Sequence, residues 1–429
     1  MRKKARLCCL LLLVALLFAG CAPFSLQNIN DLLRAPALGQ GQGEIQKALK
    51  EYLGEEPQYK FPKEGDWRSP LVMADLNGDS TQEAVLLYSL TSSSNTMYIA
   101  VLEQVDGSWE VKDIEEGIYP DVASVEVANM FADGSRQLIV GFTTATMAAK
   151  TLVLYQYSGA QLLPKTAGNY SNYLLGNLTG TGRMDIAVVS PLEEVGGLTL
   201  DFLTGTVTAA GEKDFTKLQK TVELNKNFKT CEGIYPGKNP SGDSVLVIDG
   251  KNTADVLISQ ILHYSSRGEG FYDMGDSAEI AAETARLSSL LRSKDINNDG
   301  MVEIPVQAQS NIVPASLQSS LSYVEWINFL GDVPALVQYG ILDSEKSFYI
   351  RLPGEWQGYA VAAEGKATGL WLVKDSRTGE VLLELRHLEA GELPPGESKR
   401  VPGSSDLYFF PKSTVSAVEK LQITVTVLE

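Results

Sequence analysis

The sequence predicts an all-β protein: a β-propeller of about five blades, with six or seven as open alternatives, followed by a small C-terminal antiparallel β domain. Two observations predict this fold. Short strand patterns with turn signals run through the middle of the chain, and an oxygen-rich loop phrase recurs among them. The phrase starts at 75, 129, 177 and 295, with gaps of 54, 48 and 118 residues, the last fitting two units of 59. One four-stranded blade takes about this length.

Two complete copies of the phrase start at Asp75 and Asp295, each between apolar runs. Their expected calcium ligands, at loop positions 1, 3, 5, 7 and 9, are Asp75, Asn77, Asp79, Thr81 and Glu83, and Asp295, Asn297, Asp299, Met301 and Glu303. Position 7 contributes its backbone carbonyl, and the other positions contribute side-chain oxygens. Calcium takes six to eight oxygen ligands in a flexible shell. We therefore expect two calcium sites, with a structural role because no spare base stands beside either.

An empty hairpin turn is the competing interpretation, because Asp, Asn, Gly and Ser are turn formers. The shared register of two copies favours a metal loop. EF-hand and dockerin loops are excluded by spacing, since they need flanking helices and a glutamate at position 12. That position is Leu86 in one copy and Val306 in the other, and Pro305 stands where a following helix would begin.

Weaker copies of the phrase lie between the complete ones. One keeps Asn129 and Asp133, another keeps Asn177 and Asp185, and the faintest covers residues 237–243. Their binding of metal stays open at the level of sequence.

The loops resemble the FG-GAP/VCBS repeats of integrin-α-like β-propellers, whose signature is D-x-(D/N)-x-(D/N)-G-x-x-(D/E). The second complete copy matches at every signature position, whereas Ser80 departs from the glycine position in the first. The chain also resembles VCBS-repeat lipoproteins of clostridial-type bacteria, through residues 59–62 and 65–70 before the first loop. The resemblance covers roughly residues 60–340 and implies a propeller with calcium loops, without implying a function.

The N-terminus has the pattern of a bacterial lipoprotein signal. Four basic residues precede a 13-residue apolar core over 7–19, which is too short to span a bilayer as a helix. It ends in Ala19-Gly20-Cys21, which resembles a lipobox, although Phe18 departs from the usual leucine. We expect Cys21 to become the first residue, to carry diacylglycerol and to anchor an extracytoplasmic protein to the cell membrane.

Charge and cysteine content limit the partners and the means of stabilisation. Loss of the four basic residues takes the net charge from −17 to −21. Such an acidic surface argues against nucleic acid. Cys8 and Cys9 leave with the signal, Cys21 is lipidated, and Cys231 stands alone, so no intramolecular disulfide is expected. Packing, with calcium, must stabilise the fold.

The expected organisation has five parts: signal peptide 1–20, tether 21–43, short helix and lead-in 44–62, propeller 63–343 and C-terminal β domain 344–429. Helical apolar spacing over 44–53 predicts the helix, which should pack on the first blade. Hairpins are expected over 97–114, from 152 through the turn at 158–159, and over 323–342. From a capping-box-like Asp276 we expect a helix to about Ala285, then a strand from about Leu287. In the tail, alternation at 348–352 and 421–427 and a hairpin around 375–379 predict the separate β domain.

Catalytic motifs are missing from the sequence. His263 and His387 have no partner at metal-ligand spacing, and neither a nucleophile elbow nor a phosphate loop occurs. The adjacent acidic pairs at 55–56, 115–116 and 193–194 would point to opposite faces of a strand. We expect a cell-surface binding or scaffold module with an unidentified protein or glycan partner. A glycan-active hydrolase or lyase with carboxylates at the propeller mouth, and an assembly partner of an envelope complex, remain the alternatives.

Overall fold

The structure is a computed structural model that describes residues 40–192, 196–265, 267, 270–274, 277–307, 312–329, 334–345, 347–365, 370–387, 399–400, 407–411 and 425–427. The expectations for the signal peptide, for Cys21 and for Asp276 fall outside these residues. Within the described part of the chain, no helix is both long enough and apolar enough to cross a bilayer.

The fold class is confirmed as all-β and propeller-like: the described residues form six antiparallel sheets in chain order, except that strand Val425–Val427 returns to the fifth sheet. In the first three sheets the strands are Gln58–Tyr59, Leu71–Ala74, Glu83–Leu90, Ser93–Val105 and Ser108–Glu116; Asp121–Ala128, Gln137–Thr143, Lys150–Ser158 and Gln161–Asn169; and Asn172–Gly176, Asp185–Pro191, Leu198–Val207, Lys213–Lys217 and Val222–Glu223.

The other three sheets continue this order, and short helices interrupt them. Their strands are Thr230–Lys238, Ser244–Lys251, Leu257–Ser265 and Gly270–Asp273; Ile304–Gln307, Leu321–Phe329, Pro334–Asp343, Phe348–Leu352 and Val425–Val427; and Ala360–Glu364, Leu370–Asp375, Val381–His387, Lys399–Arg400 and Leu407–Pro411. The described helices are Gln40–Leu53 and Ser277–Glu283, with 3₁₀ turns at Ala315–Leu317 and Gly354–Trp356.

Each sheet packs face to face on the next, because its central strands are apolar on both sides. Strand Glu83–Leu90 shows the reason, since seven of its eight residues are buried. Shared hydrophobic clusters join successive sheets from the first to the sixth. Stacked rings mark two of these contacts: Phe202 on Phe271 with centroids 4.2 Å apart, and Phe348 on Trp371 at 5.9 Å.

The outer face of the first sheet is covered by the helix Gln40–Leu53, where the sequence predicts a helix over 44–53. Its buried residues Ile45 and Leu49 pack with Leu86 and Tyr88 on the face that points away from the second sheet. No hydrophobic cluster among the described residues links the sixth sheet to the first. The helix therefore covers the outer face of the first sheet.

Two stretches differ from the sequence-based expectation. After the helix Ser277–Glu283, residues 286–294 form no strand, and only isolated bridges join Arg286 to Leu257 and Lys294 to Glu303. The fifth sheet also crosses the expected domain boundary at 344, since strand Phe348–Leu352 pairs with Pro334–Asp343 and with 425–427. A short connection between antiparallel strands favours pairing in one sheet.

Candidate metal loops

Four loops of nine residues share one backbone conformation, and they are named loop 1 (residues 75–83), loop 2 (129–137), loop 3 (177–185) and loop 4 (295–303). In all four, positions 4 and 6 have a positive φ, at Gly78 and Ser80, Ala132 and Gly134, Gly180 and Gly182, and Asn298 and Gly300. Because L side chains rarely adopt this conformation, the agreement marks a true structural repeat. The fainter copy at 237–243 is different: it is a hairpin turn around Asn239 with a single positive φ at Gly242.

Position 9 of every loop is a buried clamp that begins or directly precedes a strand. Its side-chain oxygen accepts the backbone N–H of position 2 in three loops: Leu76 to Glu83 at 2.6 Å, Met130 to Gln137 at 2.7 Å, and Ile296 to Glu303 at 3.0 Å. In loop 3 the N–H of Thr179, at position 3, donates to Asp185 at 3.2 Å. All four clamp side chains are at most 2% exposed. The sequence pattern predicted ligands here but missed this shared hydrogen-bonding role.

The first carboxylates of loops 1 and 4 bend the backbone inward. Asp75 accepts hydrogen bonds from the N–H groups of Gly78 and Ser80, at 2.7 and 2.9 Å. Asp295 accepts them from Asp299 and Gly300, at 3.1 and 2.8 Å. Loop 1 and loop 4 thus curl in the same way about oxygen side chains.

The carboxylates of loops 1 and 4 differ in the direction in which their pKa is shifted. Burial raises the pKa of Glu303 to about 7, and the charges of Asp299 and Asp295 act in the same direction. Burial likewise raises the pKa of Glu83. The pKa of Asp79 is lowered, mainly because the Thr81 N–H donates to its carboxylate. Position 9 therefore holds a carboxyl group that is unfavourable as an anion unless positive charge is near.

Positive charge is missing from loops 1 and 4 within the described residues. None of their six carboxylates forms an ion pair there, and no three His, Cys, Asp or Glu side chains in that part of the chain are gathered to metal-binding distance. Asn77 and Asn297 instead donate to Asp79 and Asp299, at 3.1 and 2.8 Å. The ligand positions expected from sequence thus lie in one loop each, in a more open arrangement than a filled metal shell.

In loop 2 a lysine side chain neutralises the carboxylate. Lys213, from the third sheet, forms an ion pair with Asp133 at position 5, and Gln137 replaces the carboxylate at position 9. The Lys213 ammonium also lies 5.5 Å from the Phe131 ring centroid. A lysine therefore supplies the positive charge that an ion would supply.

Loops 1, 2 and 3 are joined into a stack by a repeated backbone hydrogen bond. The N–H at position 8 of one loop donates to the carbonyl at position 1 of the loop before it: Arg136 to Asp75 at 2.8 Å, and Met184 to Asn129 at 3.0 Å. The recurrence of the loops in sequence, at gaps of 54 and 48 residues, was a signal for this contact, but it did not reveal which atoms meet.

His263 and Cys231, the other titratable groups considered from the sequence, both lie in the fourth sheet. His263 lies on a sheet opposite Tyr272, and burial lowers its pKa. Burial raises the pKa of the Cys231 thiol to about 12. Residues 193–194 and the side chain of His387 lie outside the described residues.

A cavity of about 520 Å³ opens between the third and fourth sheets. Phe228 lies in its wall, with Lys226 and Lys229 beside it. Glu223 is the one carboxylate among the described residues that line the cavity.

Comparison with known proteins places the chain in no family. No protein-family model matches it, and no curated protein matches it. Among solved structures, the Dos1 propeller has a TM-score of 0.31 at 11% identity, covering 67% of this chain and 64% of that one. A protein from Lactobacillus plantarum has a TM-score of 0.22 at 9% identity, with coverage of 69% and 92%. Bacillus subtilis levansucrase has a TM-score of 0.20 at 10% identity, with coverage of 70% and 91%. At these scores the comparisons carry no functional argument.

Proposed function

We propose that this chain is an extracytoplasmic binding or scaffold module, anchored through lipidated Cys21, in which loops 1 and 4 hold structural calcium. One observation carries the calcium part. Each of these loops has three carboxylates with no ion-pair partner among the described residues, whereas loop 2, with one carboxylate, has Lys213. Carboxylates that crowd within one loop repel each other unless a cation neutralises them.

The donor set suits calcium better than magnesium. Each loop offers carboxylates at positions 1, 5 and 9, an amide oxygen at position 3 and the carbonyl of Thr81 or Met301. Calcium accepts such irregular oxygen shells, while magnesium demands a tighter octahedron. When bound, the ion would neutralise the carboxylates and fix the turn between two strands.

The cavity between the third and fourth sheets supports a binding role. A polar cavity of about 520 Å³ has the size of a small-ligand site. We propose that it receives the unidentified partner or ligand.

Melting curves with and without calcium test the loop assignment. In millimolar calcium we expect the melting temperature to rise by a few degrees over EGTA, because a ligand that binds only the native state stabilises it. Asp299→Ala should reduce this rise, and magnesium should reproduce little of it. Asp133→Asn is the matched control, since its loop already holds Lys213 and the calcium response should persist.

Two results would contradict the assignment. One is a melting curve that calcium and EGTA leave unchanged, together with no bound metal by mass spectrometry. The other is an equal calcium response in wild type and in Asp299→Ala combined with Asp75→Ala.

Lipidation is tested separately from calcium. Cells grown with an alkyne fatty acid should label the wild-type chain but not Cys21→Ala, which should be released from the membrane fraction. Equal labelling of both chains would exclude the anchor while leaving the calcium loops unaffected.

A further inference from the structure

Loop 3 contains a buried carboxylate that lacks a counter-charge. Asp185 is 1% exposed, and its Oδ2 accepts from the backbone N–H and the hydroxyl of Thr179, at 3.2 and 2.8 Å. Its Oδ1 is buried without any hydrogen-bond partner, and Asp185 forms no ion pair with another described residue. An ionised carboxylate is costly to bury unless it is paired or binds a cation.

The cation nearest in sequence is turned away from this carboxylate. Arg183, at position 7, donates from its guanidinium to the carbonyl of Gly205 at 3.0 Å. The loop-2 solution is also unavailable here, because loop 2 has the neutral Gln137 at position 9 and pairs Asp133 with Lys213. Loop 3 keeps a carboxylate at position 9, and it has neither a neutral residue there nor a lysine paired with the loop.

Neutral oxygen-bearing side chains occupy the other ligand positions of loop 3. Asn177, Thr179 and Thr181 occupy positions 1, 3 and 5, and the two threonine hydroxyl oxygens lie 3.1 Å apart. The Asn177 side-chain oxygen accepts the N–H of Gly182 at 3.2 Å, which holds the loop in the curl that it shares with loops 1 and 4. With the position-7 carbonyl, this set offers several oxygens and one negative charge.

We propose that loop 3 binds a monovalent cation, sodium or potassium, against Asp185. A single charge on the ion matches the single carboxylate of the loop, Asp185, from which Arg183 is turned away, whereas a divalent ion would leave a positive excess in a partly buried place. The ion would sit where the third sheet joins the second, because Met184 of this loop donates to the carbonyl of Asn129. This site is separate from the proposed calcium loops.

The test compares melting temperatures in sodium, potassium and tetramethylammonium chloride, each at about 0.2 M, with EGTA present throughout so that the calcium loops do not contribute. For the wild type we expect sodium or potassium to raise the melting temperature by about 2 °C over tetramethylammonium, which is too large to enter the loop. Asp185→Asn should abolish this difference.

Two further variants keep the test decisive. Thr181→Val removes an exposed oxygen ligand without touching the Asp185 clamp, so it should lose the salt-specific shift even where Asp185→Asn fails to fold. Thr146→Val is the matched control, because its hydroxyl faces another threonine at 3.4 Å in a loop without a carboxylate, and it should keep the shift. Equal melting of the wild type in all three salts, or a shift retained by Thr181→Val, overturns the proposal. The calcium titration in the absence of EGTA is scored independently.

Discussion

Ser80 stands at position 6 of loop 1, where the other three loops have glycine, and its φ is 72°. A side chain in this left-handed region is strained, because Cβ crowds the following backbone. The strain is local, since loop 1 keeps the same curl as its relatives. Position 4 is Gly78 in the same region, with φ 86°, and a Cβ there would lie 3.2 Å from the Ser135 nitrogen of loop 2.

We predict that Ser80→Gly stabilises the protein by about 0.5–1 kcal/mol, because it relieves the strain at a small entropic cost. Gly78→Ala should destabilise it through both its φ and the contact with loop 2. Urea unfolding measures both changes. Ser80→Ala is the control and should bring no gain, since it retains Cβ; a gain equal to that of glycine would contradict the argument.

Cys231 should react slowly with alkylating agents in the native protein. Its thiol has a pKa of about 12 because burial disfavours the thiolate, and the thiolate is the nucleophile. Between pH 7 and pH 10 we expect the rate of iodoacetamide modification to rise about tenfold per pH unit without a plateau. Peptide mass analysis measures the rate, and the urea-unfolded chain, whose rate should level off near pH 9, is the control. A native plateau at that pH would refute the prediction.

At the residue scale, the sequence predicted the oxygen-bearing positions of the loops, because their alternation is visible in a linear pattern. It could not predict that Gln137 and Asp185 serve as clamps equivalent to Glu83. That role depends on which backbone N–H points inward, which is a three-dimensional fact. The pairing of Lys213 with Asp133 was hidden for the same reason, since the two residues belong to neighbouring sheets.

Among the elements, segment 284–294 is held by a buried ion pair rather than by strand pairing. Arg286 and Asp249 are both fully buried, and the guanidinium lies 2.7 Å from the carboxylate. Arg286 also donates to the Ser259 hydroxyl and the Leu291 carbonyl, and Asp249 accepts from Ser293. These contacts and the bridge from Arg286 to Leu257 therefore attach the segment to the fourth sheet without making it a strand.

We predict that Arg286→Met costs about 3–5 kcal/mol, because it leaves the Asp249 carboxylate buried and unpaired. Arg286→Met combined with Asp249→Leu should recover part of that loss. Denaturant unfolding measures both. Lys165→Met removes an exposed ion pair with Asp214 and should change stability by at most about 1 kcal/mol. An equal loss of stability for Arg286→Met and Lys165→Met would contradict this role of the buried ion pair.

The sequence predicted the hairpins well, because turn residues and alternation are local signals. It predicted a strand from about Leu287 because the repeat requires one there. The segment is instead held by Arg286, because the N–H groups of its guanidinium donate to Leu291, Ser259, Thr284, Ser293 and Asp249. A regular strand would not keep these contacts together. The boundary at 344 was placed where the loop phrase ends, but sheet membership follows from the short turn after Asp343, not from the phrase.

In the molecule as a whole, the helix Gln40–Leu53 completes the core by covering the first sheet. Leu49 is 0% exposed at the centre of this contact. Leu49→Ala should cost about 2–5 kcal/mol, because it leaves a cavity against the sheet. Lys47→Ala, at an exposed position of the same helix, should change stability by less than about 0.5 kcal/mol. Chemical unfolding of both variants decides the matter, and indistinguishable midpoints would mean that the helix does not cap the sheet.

Each sheet of the described chain shares its core with the sheets next to it in sequence, and the first sheet also shares a core with the helix Gln40–Leu53. Contacts between units that are neighbours along the chain are typical of repeat proteins, whose stability is close to a sum of unit and nearest-neighbour contributions. Without the helix, the apolar face that carries Leu86 and Tyr88 would be exposed, and an exposed apolar face of this kind favours association with another molecule.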